Sequence, residues 1–369
     1  MRAGPAEAPR WVGLVLLPAV NLVAAFVLAG LVALALDESP FQLMEVLFVG
    51  AFGSLEAVGF TLYYTTSFIF AGLAVAVAFH CGLFNIGGEG QAYIGGLGVG
   101  LVCLAFDSWP FAIVLPLAVV AAAAFGAAWA FVPGWLQARR GSHVVITTIM
   151  FNFIAAALMT YLLVDVLIKP GQSSPETREF AQAVWLPLAH DWLAAIGIAM
   201  PRSPLNLSFL IALAAAGLVW VFIWHTRWGY ELRAVGLNEE AAVYAGISPA
   251  RQIIVAMALS GALAGLVGIN EILGVHHRLL LGFPAGYGFI GIAVALMGRN
   301  HPVGVCLAAL LFGALFQGGT EISFEMRNLN REMVVVIEGL VILFCGALEN
   351  LFKPRLEALF RRRRAAAPA

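Results

Sequence analysis

The stretch Cys81-Gly-Leu-Phe-Asn-Ile-Gly-Gly-Glu-Gly-Gln-Ala-Tyr93 interrupts hydrophobic sequence with four glycines and with the hydrogen-bonding side chains of Asn85, Glu89 and Gln91. Irregular backbone is tolerated at membrane depth only where it is buried in protein or lines a water-filled cavity. A second glycine-rich break follows at 281–291. One interrupted segment in each half of the chain is the pattern expected of membrane transport folds built from repeats. The sequence therefore predicts a membrane transport protein with two discontinuous helices.

Polar and aromatic side chains beside these breaks are the candidates for lining a solute pathway. A charge at a helix centre costs about 2.5–3.5 kcal/mol on insertion scales, so Glu89 must be compensated. It can line the pathway, or it can cap a helix start, where the dipole and free N–H groups stabilise a carboxylate. The aromatic rings can stack on a flat or ring-shaped solute or pack against glycine gaps. The candidate pathway residues are Phe84, Asn85, Glu89, Gln91, Tyr287 and Phe289.

Composition places most of the chain in a lipid bilayer. Of its 369 residues, 62% are hydrophobic and 11% are charged, and the mean hydropathy is +0.92. A soluble domain carries about 25% charged residues. The net charge of −1 gives no indication of a nucleic-acid partner. The four cysteines form no CxxC pair and lie in or beside apolar stretches, as expected of small packing residues.

Hydrophobic runs of about 20 residues predict an all-α, polytopic membrane helical bundle of about ten transmembrane helices, within a range of eight to ten. The short, glycine-rich run 286–299 is expected to be broken or tilted, and 41–54 to be an interfacial helix. Whether these two segments fully span the bilayer stays open. The ten candidate spans are 11–36, 57–80, 88–106, 110–132, 143–165, 205–224, 253–273, 286–299, 302–318 and 332–349.

The distribution of Lys and Arg predicts that both termini are cytoplasmic. With ten spans and a cytoplasmic N-terminus, the inside segments hold fourteen of the twenty basic residues. The expected organisation is a cytoplasmic tail at 1–10, a transmembrane domain at 11–350 and a basic cytoplasmic tail at 351–369. The run Arg361 to Arg364 is expected to anchor that tail on anionic membrane lipid.

The outside loop 166–204 is the longest polar stretch, and loops of this length are often functional. It is expected to be a lid or a docking surface for an external binding protein, and a plain connecting loop with an interfacial helix is an equal alternative.

The inside loop 225–252 contains a predicted short helix at about 239–245. Asn238 is suited to cap its start, Glu239 and Glu240 suit the dipole of its first turn, and Gly246 is placed to end it. An isolated, self-capped helix between two spans can dock on a partner and transmit its motion, although an ordinary loop helix fits as well.

Motifs for chemistry are missing from the chain. A phosphate-binding GxxxxGK[ST] loop needs a lysine in context, and neither Lys169 nor Lys353 has it. His276 and His277 are adjacent, but a metal site would need further ligands. We therefore expect no catalytic residues, no metal and no cofactor in this chain, and any ATP chemistry on another chain. An ion-coupled secondary transporter, which would use buried carboxylates such as Glu271 or Glu338, and a membrane-embedded enzyme are the alternatives from other classes.

Four stretches carry a resemblance to a known family over about residues 50–350. The sequence resembles bacterial ABC importer permeases of the branched-chain amino acid/ribose superfamily, and most closely the nucleoside or simple-sugar permeases that serve basic-membrane-protein-type lipoproteins. The matching stretches are Ala78 to Gly95, Thr148 to Ala155, Leu232 to Ile247 and Gly286 to Gly304.

The resemblance implies a multi-pass protein of the bacterial cytoplasmic membrane that translocates a small polar solute, a nucleoside or simple sugar, with branched-chain amino acids as the alternative substrate. It implies a separate ATP-binding subunit that holds ATP and Mg, and an external substrate-binding lipoprotein. It also implies a second permease subunit, which is usually a different but related chain and is otherwise a second copy of this chain. It also implies that the short inside helix is the coupling helix. The implied coupling residues are Asn238, Glu239, Glu240, Ala241, Ala242, Tyr244 and Gly246.

Overall fold

A computed structural model describes residues 16–326, 335–336 and 339–340 of the chain. Within these residues, extended backbone pairs only at two isolated bridges, Glu176 with Leu280 and Leu188 with Asn206. The helices are α1 (Leu17–Ala35), α2 (Pro40–Phe52), α3 (Leu55–His80), α4 (Gly88–Phe106), α5 (Phe111–Arg140), α6 (Val144–Tyr161), α7 (Ala189–Ala195), α8 (Ser208–His225), α9 (Arg227–Leu237), α10 (Glu239–Tyr244), α11 (Pro249–Gly265), α12 (Tyr287–Met297) and α13 (Pro302–Glu325). Turns of π-helix follow α6 at Leu162–Val166 and α11 at Ile269–His276, and a 3-10 turn covers Gln182–Val184.

The predicted polytopic helical bundle is confirmed. Seven described helices are long and apolar enough to cross a membrane, namely α3, α4, α5, α6 with its π-turn, α8, α11 with its π-turn, and α13. The helix predicted at 110–132 continues to Arg140 and ends at Gly141, which has a positive φ of 68°. The candidate span 332–349 lies almost wholly outside the described residues.

The described residues divide into two compact units, one formed by 16–53 with the described residues from 315 onward and the other formed by 54–314. In the described part of the first unit, Ser39 caps α2 by accepting a hydrogen bond from the Gln42 N–H at 3.4 Å, and Gly318 packs on the backbone of Leu47. At 13 residues, α2 is about 20 Å long, shorter than the hydrocarbon core of about 30 Å. This length fits the interfacial helix expected at 41–54.

The second unit is built around α3, which packs against α8, α11 and α12. Glycines bring helices close together elsewhere in this unit. Gly126 of α5 lies against the backbone of Gly261 and Gly265 of α11, so a Cβ atom at any of the three would meet main-chain atoms. Small residues at such crossings allow the close backbone approach on which helix association in membranes depends.

The chain between 277 and 300 is half irregular and half helical. Leu279 lies against Gly100, Phe283 against Gly96 and Gly288 against Gly88, so the segment runs antiparallel to α4 before α12 begins. Positive φ angles at Gly282 and Gly286 turn its backbone. The irregular backbone predicted at 281–291 therefore ends at Gly286, and the run 286–299, expected to be broken or tilted, contains the short continuous helix α12. Of the irregular part, Leu279, Phe283 and Pro284 are buried.

The inside loop contains two helices rather than one. The short helix predicted at 239–245 is present as α10, Asn238 accepts a hydrogen bond from the Ala241 N–H at 2.9 Å, and Gly246 follows with a φ of 76°. The preceding helix, α9, was not predicted. Its cap is Thr226, which accepts from the Gly229 N–H at 3.1 Å, so this helix also carries its own start signal.

Candidate functional site

A hydrogen-bonded core supports the first break. The Asn85 amide donates to Gln91 Oε1 at 2.9 Å and to Ser260 Oγ at 2.8 Å, and its oxygen accepts from the Gly87 N–H at 2.9 Å. Ser260 in turn donates to the Ala74 carbonyl at 2.6 Å. Asn85 and Gln91 are both buried, and their polar groups bond to one another and to Ser260 of α11, which in turn bonds to α3. In this structure they hold the irregular backbone in place.

Asn152 of α6 fixes the same break from the other side. Its side-chain oxygen accepts from the Gly90 N–H at 2.9 Å and its amide donates to the Ile86 carbonyl at 2.9 Å. Sequence reasoning did not select Asn152, because an isolated polar residue in a hydrophobic helix does not indicate which distant backbone it satisfies.

We expect Asn85→Leu to destabilise the protein strongly, because it removes the acceptor of the Gly87 N–H and leaves the Gln91 amide and Ser260 short of partners. A buried polar group left unpaired costs about 1–3 kcal/mol. Thermal unfolding in detergent should show a clearly lower melting temperature for this variant than for wild type. Asn238→Leu, which removes an exposed helix cap, should cost only about 1 kcal/mol. Equal melting temperatures for wild type and Asn85→Leu would contradict this role.

The two breaks meet at Glu89. Its carboxylate accepts hydrogen bonds from the Gly286 N–H at 2.8 Å and the Gly288 N–H at 2.9 Å. These amides belong to the start of α12, whereas Glu89 lies in the first turn of α4. The carboxylate therefore occupies the positive end of a helix other than its own. Gly88 and Gly288 pack backbone to backbone beside it, and a Cβ atom at Gly288 would clash with the Glu89 backbone.

The aromatic residues at the breaks have different surroundings. Tyr287 is buried and contacts Phe68 edge to face at 5.4 Å between ring centroids, and Phe84 contacts Phe79 at 5.2 Å. Phe289 is 47% exposed. The structure thus places Tyr287 beside the Glu89 contact and leaves Phe289 on the surface of the chain.

A buried polar cluster lies around Glu271 in the π-turn. Its carboxylate accepts from Tyr63 at 2.5 Å, from Ser67 at 2.7 Å and from the Asn270 amide at 3.1 Å. The Asn270 oxygen accepts from Ser208 at 2.8 Å. Sequence reasoning considered Glu271 only as a possible ion-coupling carboxylate and did not identify these partners. The cluster joins the π-turn to α3 and to the start of α8.

At the other end of α3, α9 touches the first break directly. Gly236 lies on the backbone of His80, Cys81 and Gly82, and a Cβ atom there would meet the His80 carbonyl oxygen. Cys81 is buried at this contact, in keeping with a packing role. Beyond this contact, Tyr244 of α10 is 99% exposed. The implied coupling residues Asn238, Glu239 and Glu240 are also exposed, whereas Ala242 is buried.

The loop 166–204 is fastened to the segment that follows the π-turn. The Thr177 N–H donates to the Leu279 carbonyl at 3.0 Å and the Phe180 N–H to the His277 carbonyl at 2.8 Å. The Trp185 ring stacks on His277 at 3.8 Å, and burial lowers the pKa of His277, which favours the neutral ring. These contacts attach the loop to residues 273–279, and residues 177–190 of the loop are called the platform below.

Among the described residues, no three His, Cys, Asp or Glu side chains come together in a group that could hold a metal ion. His276 Nε2 lies 3.9 Å from the Glu271 carboxylate and joins no larger cluster.

Comparison with known proteins identifies the family. Residues 57–346 match the family described as the permease component of branched-chain amino acid transport systems. A guanosine ABC transporter permease of Bacillus subtilis is 40% identical, covering 90% of this chain and 93% of that protein. A glucose ABC transporter permease of Haloferax volcanii is 36% identical (95% and 92%), and a nucleoside ABC transporter permease of Lactococcus lactis is 34% identical (94% and 94%).

The family and the seven apolar helices together make this a multi-pass protein of the inner membrane and a transport component. The resemblance noted at 50–350 is confirmed by a match that covers nearly the same residues. The chain belongs to the family of permease components of branched-chain amino acid transport systems.

Proposed function

We propose that the chain is the membrane-spanning subunit of an ABC importer that moves a small polyhydroxylated solute, powered by an ATPase on a separate chain. The observation that carries this proposal is that α10 packs on α9, whose Gly236 lies against the backbone of the first break. The exposed helix α10 is thereby joined through α9 to the irregular backbone that follows α3. The sequence contains no phosphate-binding loop that could supply the energy within this chain.

The mechanism follows from these contacts. ATP binding, with Mg, would close the ATPase subunits and displace α10, whose exposed side chains provide the docking surface. Gly236 would carry the displacement to His80 and Gly82, because the backbones touch without an intervening side chain. Glu89 would then move the start of α12 with α4, since its carboxylate bonds the two breaks together. The result would be alternating access, with no covalent chemistry in this chain.

The solute class rests on what the relatives' names share. Guanosine and other nucleosides carry a ribose, and glucose is itself a polyhydroxylated ring. A nucleoside or simple sugar is accordingly the proposed cargo. Branched-chain amino acids, which the family description names, are the second choice, because none of these three relatives is named for them.

The proposed assembly contains a second related permease, two ATP-binding domains and an external binding lipoprotein. The pore would form between the two permeases, as different chains or as two copies. The α9–α10 end and both tails would be cytoplasmic, and the platform in 166–204 would face outward. This orientation follows the excess of Lys and Arg in the predicted inside segments.

The coupling helix can be tested with Tyr244→Ala and, more severely, with Glu240→Arg combined with Gly246→Pro. We expect Tyr244→Ala to leave the permease folded, since Tyr244 is 99% exposed. Gly246→Pro should also distort the end of α10, because proline can neither adopt the positive φ of Gly246 nor donate its hydrogen bond to the Val243 carbonyl. Both variants should lower ATP-driven uptake several-fold. The measurements are uptake and stimulated ATP hydrolysis by the reconstituted transporter. The matched control is Tyr161→Ala, an exposed tyrosine of α6. Unchanged uptake and hydrolysis in both test variants would disprove the assignment of α10.

An ion-coupled secondary transporter is the second candidate, because Glu271 is a fully buried carboxylate at membrane depth. Uptake that stops on addition of an ionophore but persists when ATP is depleted would favour it. The reverse response would favour the ABC importer.

A further inference from the structure

A cavity of about 680 Å³ opens beside the platform in 166–204. We propose that this cavity binds the transported solute through the solute's own hydroxyl groups, before the solute passes into the helical bundle. The class of solute is taken from the proposed function, whereas the existence of the site does not depend on it. No residue of this cavity belongs to the breaks or to α9 and α10. Its volume lies within the range of about 300–1,000 Å³ that small-molecule sites occupy.

The walls of the cavity come from fixed elements. The lining includes Phe60 of α3, Trp185 and His190 of the platform, and Gly274 of the π-turn. The platform is held in place by the hydrogen bonds to 273–279 and by the stacking of Trp185 on His277. The site is thus preformed, which lowers the entropy cost of binding a small ligand.

The polar groups of the cavity suit hydroxyls. Asp191 offers an acceptor, Arg202 offers several donors, and Gln182 offers both. The Arg202 guanidinium forms no salt bridge to any carboxylate in the described part of the chain. Planar side chains of these types can each hold two neighbouring hydroxyls, and the apolar remainder of the wall suits the face of a ring.

Two buried polar atoms beside the cavity have no hydrogen-bond partner in the described part of the chain. They are Nδ1 of His190 and Oγ of Ser203, a residue that is 5% exposed and whose Oγ faces Gly59 of α3. A buried polar atom left in this state costs about 1–3 kcal/mol. Rotation about χ1 would turn the Ser203 hydroxyl toward the cavity, where a ligand hydroxyl could satisfy it.

The chemistry favours a polyol over an acidic protein segment. His190 Nε2 lies 3.1 Å from the Asp191 carboxylate, and the His190 Nδ1 atom has no hydrogen-bond partner in the described part of the chain. A hydroxyl can donate to Nδ1 or accept from it, whichever ring nitrogen carries the proton, whereas a carboxylate can only accept and would be repelled by Asp191. The cavity also adjoins His277, where the irregular segment along α4 begins, so a solute held there would lie at the outer start of that segment.

The test is equilibrium binding of radiolabelled guanosine and glucose to the purified full chain in lipid nanodiscs without ATP. We expect saturable binding of at least one of them, weakened about tenfold or more by Asp191→Asn, by Arg202→Gln and by Ser203→Val. Asp165→Asn, a change to an exposed aspartate outside the cavity, is the matched control and should bind normally. Size-exclusion profiles identify any variant that fails to fold, and the binding affinities of the remaining variants then test the site.

Absence of saturable binding, binding that all three cavity variants leave intact, or a preference for leucine over both polyols would overturn the site. So would cavity variants that change only the response to an external binding protein, because that result would make the cavity a protein-docking surface. Loss of the proposed function is a separate outcome, detected by uptake that ignores ATP depletion, and it leaves the binding measurement unaffected.

Discussion

Replacing Glu89 with alanine should lower uptake at least about tenfold and reduce the melting temperature of the permease. The substitution removes the acceptor for the Gly286 and Gly288 N–H groups and the negative charge at the start of α12. Each buried N–H left unpaired costs about 1–3 kcal/mol, and the lost interaction with the helix dipole adds up to about 2 kcal/mol. About 1.4 kcal/mol is already a factor of ten in an equilibrium constant.

Glu89→Gln separates the two roles considered for this residue. Glutamine keeps the length but offers one acceptor oxygen and places donors toward the backbone N–H groups. If Glu89 bonds the breaks together, stability and uptake should fall in parallel, with losses between those of wild type and the alanine variant. If it only lines the pathway, uptake should fall while the melting temperature stays normal. Glu56→Gln, at an exposed position of α3, serves as the control and should be nearly silent.

Gly236→Ala should uncouple ATP hydrolysis from uptake while the chain stays folded. The added Cβ atom would meet the His80 carbonyl oxygen and the backbone of Cys81 and Gly82, which cannot yield as a flexible side chain can. α9 would have to move away from the first break. Alanine favours a helix by about 0.5–1 kcal/mol over glycine, so weaker helix formation would not explain a defect.

The measurement is the amount of solute taken up per ATP hydrolysed by the reconstituted transporter, which we expect to fall about tenfold or more in Gly236→Ala. Gly217→Ala in α8 is the matched control, because a Cβ atom there meets nothing within 4 Å. That variant should transport like wild type. A normal ratio in Gly236→Ala would show that the contact between α9 and the break does not transmit the motion.

Local features of the sequence predicted several local features of the structure. Asn238 before two glutamates, with Gly246 beyond, predicted the capped α10, because capping depends on residues three or four positions apart. The α9 helix was missed because it lies at a polar inside loop, where hydrophobic runs give no signal. The sequence shows Thr226 three residues before Gly229, but this spacing indicates a helix cap only once a helix is known to start there.

The sequence by itself determined that the chain lies in a membrane, that it is helical, and that two glycine-rich segments break the helices, because hydropathy and glycine content act within short stretches. The tertiary structure alone decided that the breaks meet, that Glu89 caps a helix 197 residues further along the chain, and that Asn152 and Gly236 support the first break. The physical reason is that the sequence shows only that a buried carboxylate or amide needs a hydrogen-bond partner. Which of many equivalent N–H groups or carbonyls becomes that partner is settled by how the helices pack.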